Sequence, residues 1–161
     1  MKVLLLLRHA DSSEKVQGQS DKERSLTRKG SAQAEAVASF MKAKEFVPTR
    51  VIASSAKRVR ATVDIVMNGS AINSKTDFAD ELYEADIETY LGVIRRAEDC
   101  QSLLVAGHNP AITDFASFIS RTKVHGLGTG NLLVFQFKGN SWTQLDKGVC
   151  ELMEHFAPPG S

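Results

Sequence analysis

A single α/β domain of three layers, with helices covering both faces of a mainly parallel sheet, is predicted by three observations. Three short apolar runs, Val3 to Leu7, Val51 to Ala53 and Ser102 to Ala106, lack the polar alternation of half-exposed strands and suit strands buried on both faces. Between them lie stretches whose apolar residues recur at helical spacing. Nothing in the 161 residues repeats and no linker divides them, and a chain of this length, 42% hydrophobic, can bury one substantial core.

The first strand, Val3 to Leu7, runs straight into Arg8 and His9. Ala10 to Arg24 is polar, has no apolar face to bury, and is expected as a loop over that strand end. From Gly30 to Phe46, Ala32, Ala36, Val37, Phe40 and Met41 mark one face of a helix that Pro48 terminates. The second strand, Val51 to Ala53, stops at Ser54 and Ser55. Ser54 is the expected N-cap of a helix over Ala56 to Met67, and Asn68-Gly69 is its expected left-handed stop. Residues 70–86 hold the acidic cluster Asp77, Asp80, Glu81, Glu84 and Asp86, and are expected as loop with helical turns. Ile87, Tyr90, Leu91 and Ile94 mark a helix ending near Glu98, and the third strand stops at Gly107-His108-Asn109-Pro110. There Asn109 caps and Pro110 opens a helix with Ile112, Phe115, Ala116 and Ile119 on its inner face. Gly126 to Gly130 precedes a strand over Leu132 to Phe137. Gly139-Asn140 is a two-residue hairpin signal into a strand over Ser141 to Leu145, and the tail with Pro158-Pro159 is expected to fray.

The formal net charge of +1 argues against a chain that clamps a nucleic-acid backbone or an anionic membrane surface, since both need a basic surplus. Cys100 and Cys150 stand far apart and read as reduced thiols, and the N-terminal apolar run is too short and wrongly flanked for a secretory signal. A cytoplasmic monomer is expected. No Cys-x5-Arg loop, Gly-x-Ser-x-Gly elbow or Gly-x4-Gly-Lys-Ser/Thr loop occurs, which removes support from thiol, serine and P-loop chemistry. The Gly126 to Gly130 loop leads into a strand, unlike a dinucleotide fingerprint, and His108, His125 and His155 lack metal-ligand spacing, so no metal and no cofactor are expected.

Three strands end alike, at Arg8-His9, at Ser54 followed by Arg58, and at Gly107-His108-Asn109. Parallel strands bring such ends to one edge of the sheet, where helix N-termini favour an anion. Two arginines can fork the non-bridging oxygens of a phosphoryl group, and a neutral histidine can accept that group covalently. Arg8 and Arg58 form the expected clamp. One of His9 and His108 attacks, and the other stabilises the developing charge. Arg58 shares a helix face with the capping Ser54 and with Thr62, whereas Arg60 points roughly 200° away and is discounted. Ser54 and Asn109 complete the expected substrate-binding set.

These residues resemble a known family. Leu7-Arg8-His9-Ala10 is similar to the Arg-His-Gly signature of the histidine phosphatase (phosphoglycerate mutase-like) superfamily. The likeness continues through Arg24 to Gly30, Ser54 to Thr62, Leu82 to Ala85, Gly107 to Pro110 and Thr129-Gly130. The short chain is similar to the SixA-type branch, which removes phosphate from phosphohistidine in proteins. The resemblance implies a phosphoglycerate mutase-like fold, with His9 as the phosphorylated nucleophile, Arg8 and Arg58 on the phosphoryl group, and His108 as the second pocket histidine. It further implies a metal-independent phosphatase acting on a phosphorylated protein or a small phosphate ester. Ala10 departs from the usual glycine. The leaving-group acid is assigned to Glu81, with Glu84 as the alternative, and neither sits in a full motif. The competing reading is a phosphate-binding signalling module that keeps the pocket without turnover.

Overall fold

Leu4 to Leu7 are completely buried at the heart of a six-stranded sheet. The computed structural model describes residues 1–161. In chain order the elements are β1 (Lys2–Arg8), α1 (Arg28–Lys44), β2 (Arg50–Ser54), α2 (Lys57–Gly69), β3 (Lys75–Ala79), α3 (Ile87–Arg95), β4 (Ser102–Gly107), α4 (Ala111–Ile119), β5 (Leu132–Phe137) and β6 (Cys150–Phe156). The strand order is β3-β2-β4-β1-β5-β6. The first four in that order run parallel, β5 is antiparallel to β1, and β6 is antiparallel to β5.

The period of two along each strand builds two separate cores. Leu4 and Leu6 of β1, Ile52 of β2, Leu103 and Val105 of β4 and Phe135 of β5 pack with Tyr90 and Ile94 of α3 and with Ile112 and Phe115 of α4. The intervening Leu5, Leu7, Val51, Ala53, Leu104 and Ala106 pack on the other face, against Val37 and Met41 of α1 and Val59 and Val66 of α2. This is the predicted three-layer architecture, and the absence of polar alternation in the apolar runs has its cause here: each face of the strand meets a helix layer.

Several local expectations are corrected. The segment expected as loop contains β3, an edge strand paired only to β2; one side lies open, so it carries no apolar run. No strand forms over Ser141 to Leu145. Instead Trp142–Gln144 is a 3-10 turn capped by Ser141, because Trp142 buries itself beside Phe137 and its indole N–H donates to the Cys100 carbonyl at 3.0 Å. The partner of β5 is β6, so the chain does not turn back within Gly139-Asn140. Asn68 and Gly69 continue α2, and the left-handed residue is Ala71 at φ 56°. The α3 helix closes at Arg95 rather than near Glu98. Neither Ser54 nor Asn109 caps its helix: both side chains are spent at the site described next.

Candidate active site

Arg8 and His9 leave the sheet where β1 lies between β4 and β5. The His9 amide donates to the Gly107 carbonyl at 3.1 Å, and its carbonyl accepts from Gly130, whose φ of 71° suits a glycine. His9 is therefore fixed on both sides of its backbone. Its Nδ1 meets the Ala10 carbonyl at 2.8 Å; a carbonyl only accepts, so Nδ1 carries the proton and Nε2 keeps its lone pair. The Ala10 amide donates to Thr62 Oγ1, which in turn donates to the Arg58 carbonyl, so the loop after β1 is bolted to α2. Ala10 itself is fully buried in the α1–α2 core, a use for its methyl group that glycine lacks.

His108, at the end of β4, stands with its ring centroid 5.3 Å from that of His9. Arg58 Nη2 approaches His108 Nδ1 at 3.4 Å, and a guanidinium only donates, so Nδ1 is the acceptor here and Nε2–H donates to Ser54 Oγ at 2.8 Å. The His108 amide donates to the Tyr90 hydroxyl. Burial, with added repulsion from the nearby arginines, lowers His9 to about 4. Burial, then His9 and Arg58, lowers His108 to about 3. Both rings are neutral at neutral pH.

Around them lies a pocket of about 430 Å³, lined by Arg8, His9, Arg58, His108 and Asn109 among others, and almost entirely polar. The Arg58 side chain is only 7% exposed, and its Nε, like that of Arg8, is buried without a hydrogen-bond partner. Burial pulls Arg8 below its ordinary value. Buried donors without acceptors cost stability. An oxyanion is the ligand that suits a polar pocket lined by two guanidinium groups.

The sequence reading missed the carboxylate that balances this charge. Asp21, in a 3-10 turn over Asp21–Glu23, accepts from Arg58 at 3.1 Å, from Arg24 at 3.0 Å and from the Tyr83 hydroxyl. Arg58 Nη1 also donates to the Asp21 carbonyl at 2.8 Å. The Tyr83 hydroxyl, then Arg24 and Arg58, hold the Asp21 carboxyl well below the usual carboxylate range, and the same bond raises Tyr83. Arg24 ties the turn down through Ser13 and Ser12. The one local feature, the opposite charge of Arg24 three residues on, does not point to Arg58 or Tyr83.

The other expected residues fall in three places. Ser54 is fully buried behind His108, so it holds the ring instead of lining the pocket. Asn109 lines the pocket, but its amide donates to the Leu127 carbonyl, which also receives Arg8, and its oxygen accepts from Thr113; it braces the loop beneath the clamp. Glu81 is not brought to the site. The turn Asp80–Leu82 buries Leu82 and faces Glu81 outward, where it pairs with Arg96 at 3.0 and 3.1 Å. Glu84 does line the pocket and makes no ion pair.

A three-layer α/β fold with two neutral histidines, a buried Arg58 and a half-buried Arg8 at the carboxyl edge of the parallel strands defines a class of anion-handling sites. The comparisons agree: the model of the histidine phosphatase superfamily (branch 1) matches residues 4–118, and the chain belongs to that superfamily. Its fold is phosphoglycerate mutase-like, of the SixA type. It is 26% identical to an Agrobacterium tumefaciens protein described provisionally as the phosphohistidine phosphatase SixA, with a TM-score of 0.85 over 98% of each chain. A Nakamurella multipartitia protein of the same provisional description is 24% identical, with a TM-score of 0.85 over 99% of this chain and 97% of that one. An uncharacterised chloroplastic protein of Arabidopsis thaliana is 28% identical over 151 residues, 88% of this chain and 69% of its own. No helix is long and apolar enough to cross a membrane.

Proposed function

We propose that the chain is a metal-independent phosphohydrolase that forms a covalent phosphohistidine on His9 and acts on phosphohistidine carried by a protein. The observation that carries this reading is the His9 Nδ1 bond to the Ala10 carbonyl, which leaves Nε2 its lone pair in a pocket that Arg8 and Arg58 also line. The likeness to proteins described as SixA supports the choice of substrate.

Arg8 and Arg58 hold the non-bridging oxygens, and the Nε2 lone pair bonds to phosphorus as the bond from phosphorus to the leaving nitrogen breaks. That nitrogen takes the electron pair and a proton. Of the two acids the sequence offered, Glu84 is assigned to deliver it, since it lines the pocket and Glu81 lies outside. The Ser54 hydroxyl can donate as well as accept, so His108 can exchange tautomers and present an Nδ1 proton to a phosphoryl oxygen. Water then attacks phosphorylated His9, releasing inorganic phosphate and restoring the ring.

Rapid quenching without acid, during turnover of a phosphohistidine-bearing protein, is expected to trap acid-labile, base-stable phosphate on His9. His9→Ala is expected to abolish trapping and turnover together. A His9→Ala protein with the wild-type rate would overturn the mechanism.

A further inference from the structure

Glu84 and Asn109 line the catalytic pocket. Residues just after them in the chain, Ala85 to Glu88 on one side and Pro110, Ala111, Asp114 and Phe118 on the other, line a groove of about 460 Å³. Ile87, Ala111 and Phe118 make its lining largely apolar, and no lysine or arginine lines it. Glu88 and Asp114 line it, and neither is in a salt bridge. Glu84, in the pocket, is equally unpaired. Asp86 differs, because its carboxylate caps α3 by accepting from Thr89.

Glu88 and Asp114 occupy the first turns of α3 and α4, where the helix dipole favours a carboxylate. That accounts for one acid at each helix start. It does not account for a largely apolar groove of one sign of charge whose lining begins at the residues next in the chain to Glu84 and Asn109. Nor is the sign general, since the chain as a whole carries +1. A separate depression lined by Lys22, Lys57 and Arg60 is of mixed charge, since Glu23 and Asp80 line it too and Lys22 pairs with Asp80 at 3.3 Å. The groove, with acids and no base, is the one that would draw a basic segment.

We propose that this groove seats the polypeptide flanking the phosphorylated histidine, a segment with an apolar side chain against Ile87 and Phe118 and basic side chains opposite Glu84, Glu88 and Asp114. The proposal rests on the phosphohistidine reading of the active site and names what that site recognises beyond the phosphoryl group.

The test compares p-nitrophenyl phosphate with two phosphohistidine peptides, one flanked by Leu and Lys/Arg and one by Ser and Glu. The wild-type protein is expected to favour the basic peptide. In the double variant Glu88→Lys/Asp114→Lys, kcat/KM for that peptide falls by about tenfold, with a smaller loss for Glu88→Gln/Asp114→Gln and no change on p-nitrophenyl phosphate. Equal wild-type rates on both peptides, or variants that slow p-nitrophenyl phosphate as much as the peptide, would overturn the groove while leaving the phosphohistidine reading in place. Wild-type turnover of p-nitrophenyl phosphate with none of either peptide would overturn both.

Discussion

Arg58 reaches Asp21 and His108 inside the pocket, whereas Arg60 donates to the Ser55 carbonyl and lies 3.8 Å over the Phe78 ring outside it. Arg58→Ala is expected to lower kcat by about 10²–10³-fold, the usual loss when one donor to a developing oxyanion is removed. Arg60→Ala is expected to leave it near wild type; equal losses in steady-state kinetics would contradict the geometry. The helical spacing of α2 made this distinction readable from the sequence, because it depends on neighbours in one element. The state of the two histidines was not readable, because burial depresses them. By NMR, neither His9 nor His108 is expected to titrate near 6.5, and both stay neutral down to about 4 and about 3. A midpoint near 6.5 for either would mean that the pocket is open to water.

At the element scale, the approach of α1 to the loop after β1 sets the position of His9. A Cβ on Gly30 would stand 2.0 Å from the Asp11 carbonyl oxygen, a backbone atom two residues from His9. Glycine to alanine inside an exposed helix normally gains about 1 kcal/mol. Here the clash reverses the sign. Gly30→Ala is expected to lower the midpoint of thermal unfolding, with an overpacking cost of about 1–3 kcal/mol, and to reduce turnover as well. A more stable, fully active Gly30→Ala protein would show that the loop yields freely. The apolar runs named β1, β2 and β4 correctly, but β3 and β6 escaped because an edge strand needs no continuous apolar sequence. Cys150 alone is buried in β6, while Glu151, Met153 and His155 face solvent.

Across the whole molecule, the buried neutral histidines tie stability to pH. Unfolded, each binds a proton with the ordinary value of 6.5; folded, His9 does so only near 4 and His108 near 3. As pH falls below 6.5 the unfolded chain takes up protons that the folded chain does not, so stability drops through that window. Asp21 adds to the loss at still lower pH, because its folded carboxyl lies below the unfolded one. Thermal unfolding is expected to shift to lower temperature between pH 7 and pH 5, and a His9→Gln/His108→Gln protein to show a shallower shift. Identical pH dependence in the two proteins would place the loss elsewhere.

The sequence alone established the layered α/β fold and placed Arg8, His9, Arg58 and His108 together, since strands buried on both faces announce themselves locally and parallel strands share an edge. It named Ser54, Asn109 and Glu84 beside them, but not the contacts that hold the four in place. Asp21 meets Arg58 across 37 positions and Tyr83 across 62, Ser54 meets His108 across 54, and any of 19 acidic residues was as eligible as Asp21. Such partners are chosen by how α2, the turn over Asp21–Glu23 and the chain around Tyr83 pack over the sheet's edge. Their pairing is a contact between distant segments, and no spacing along the chain encodes it.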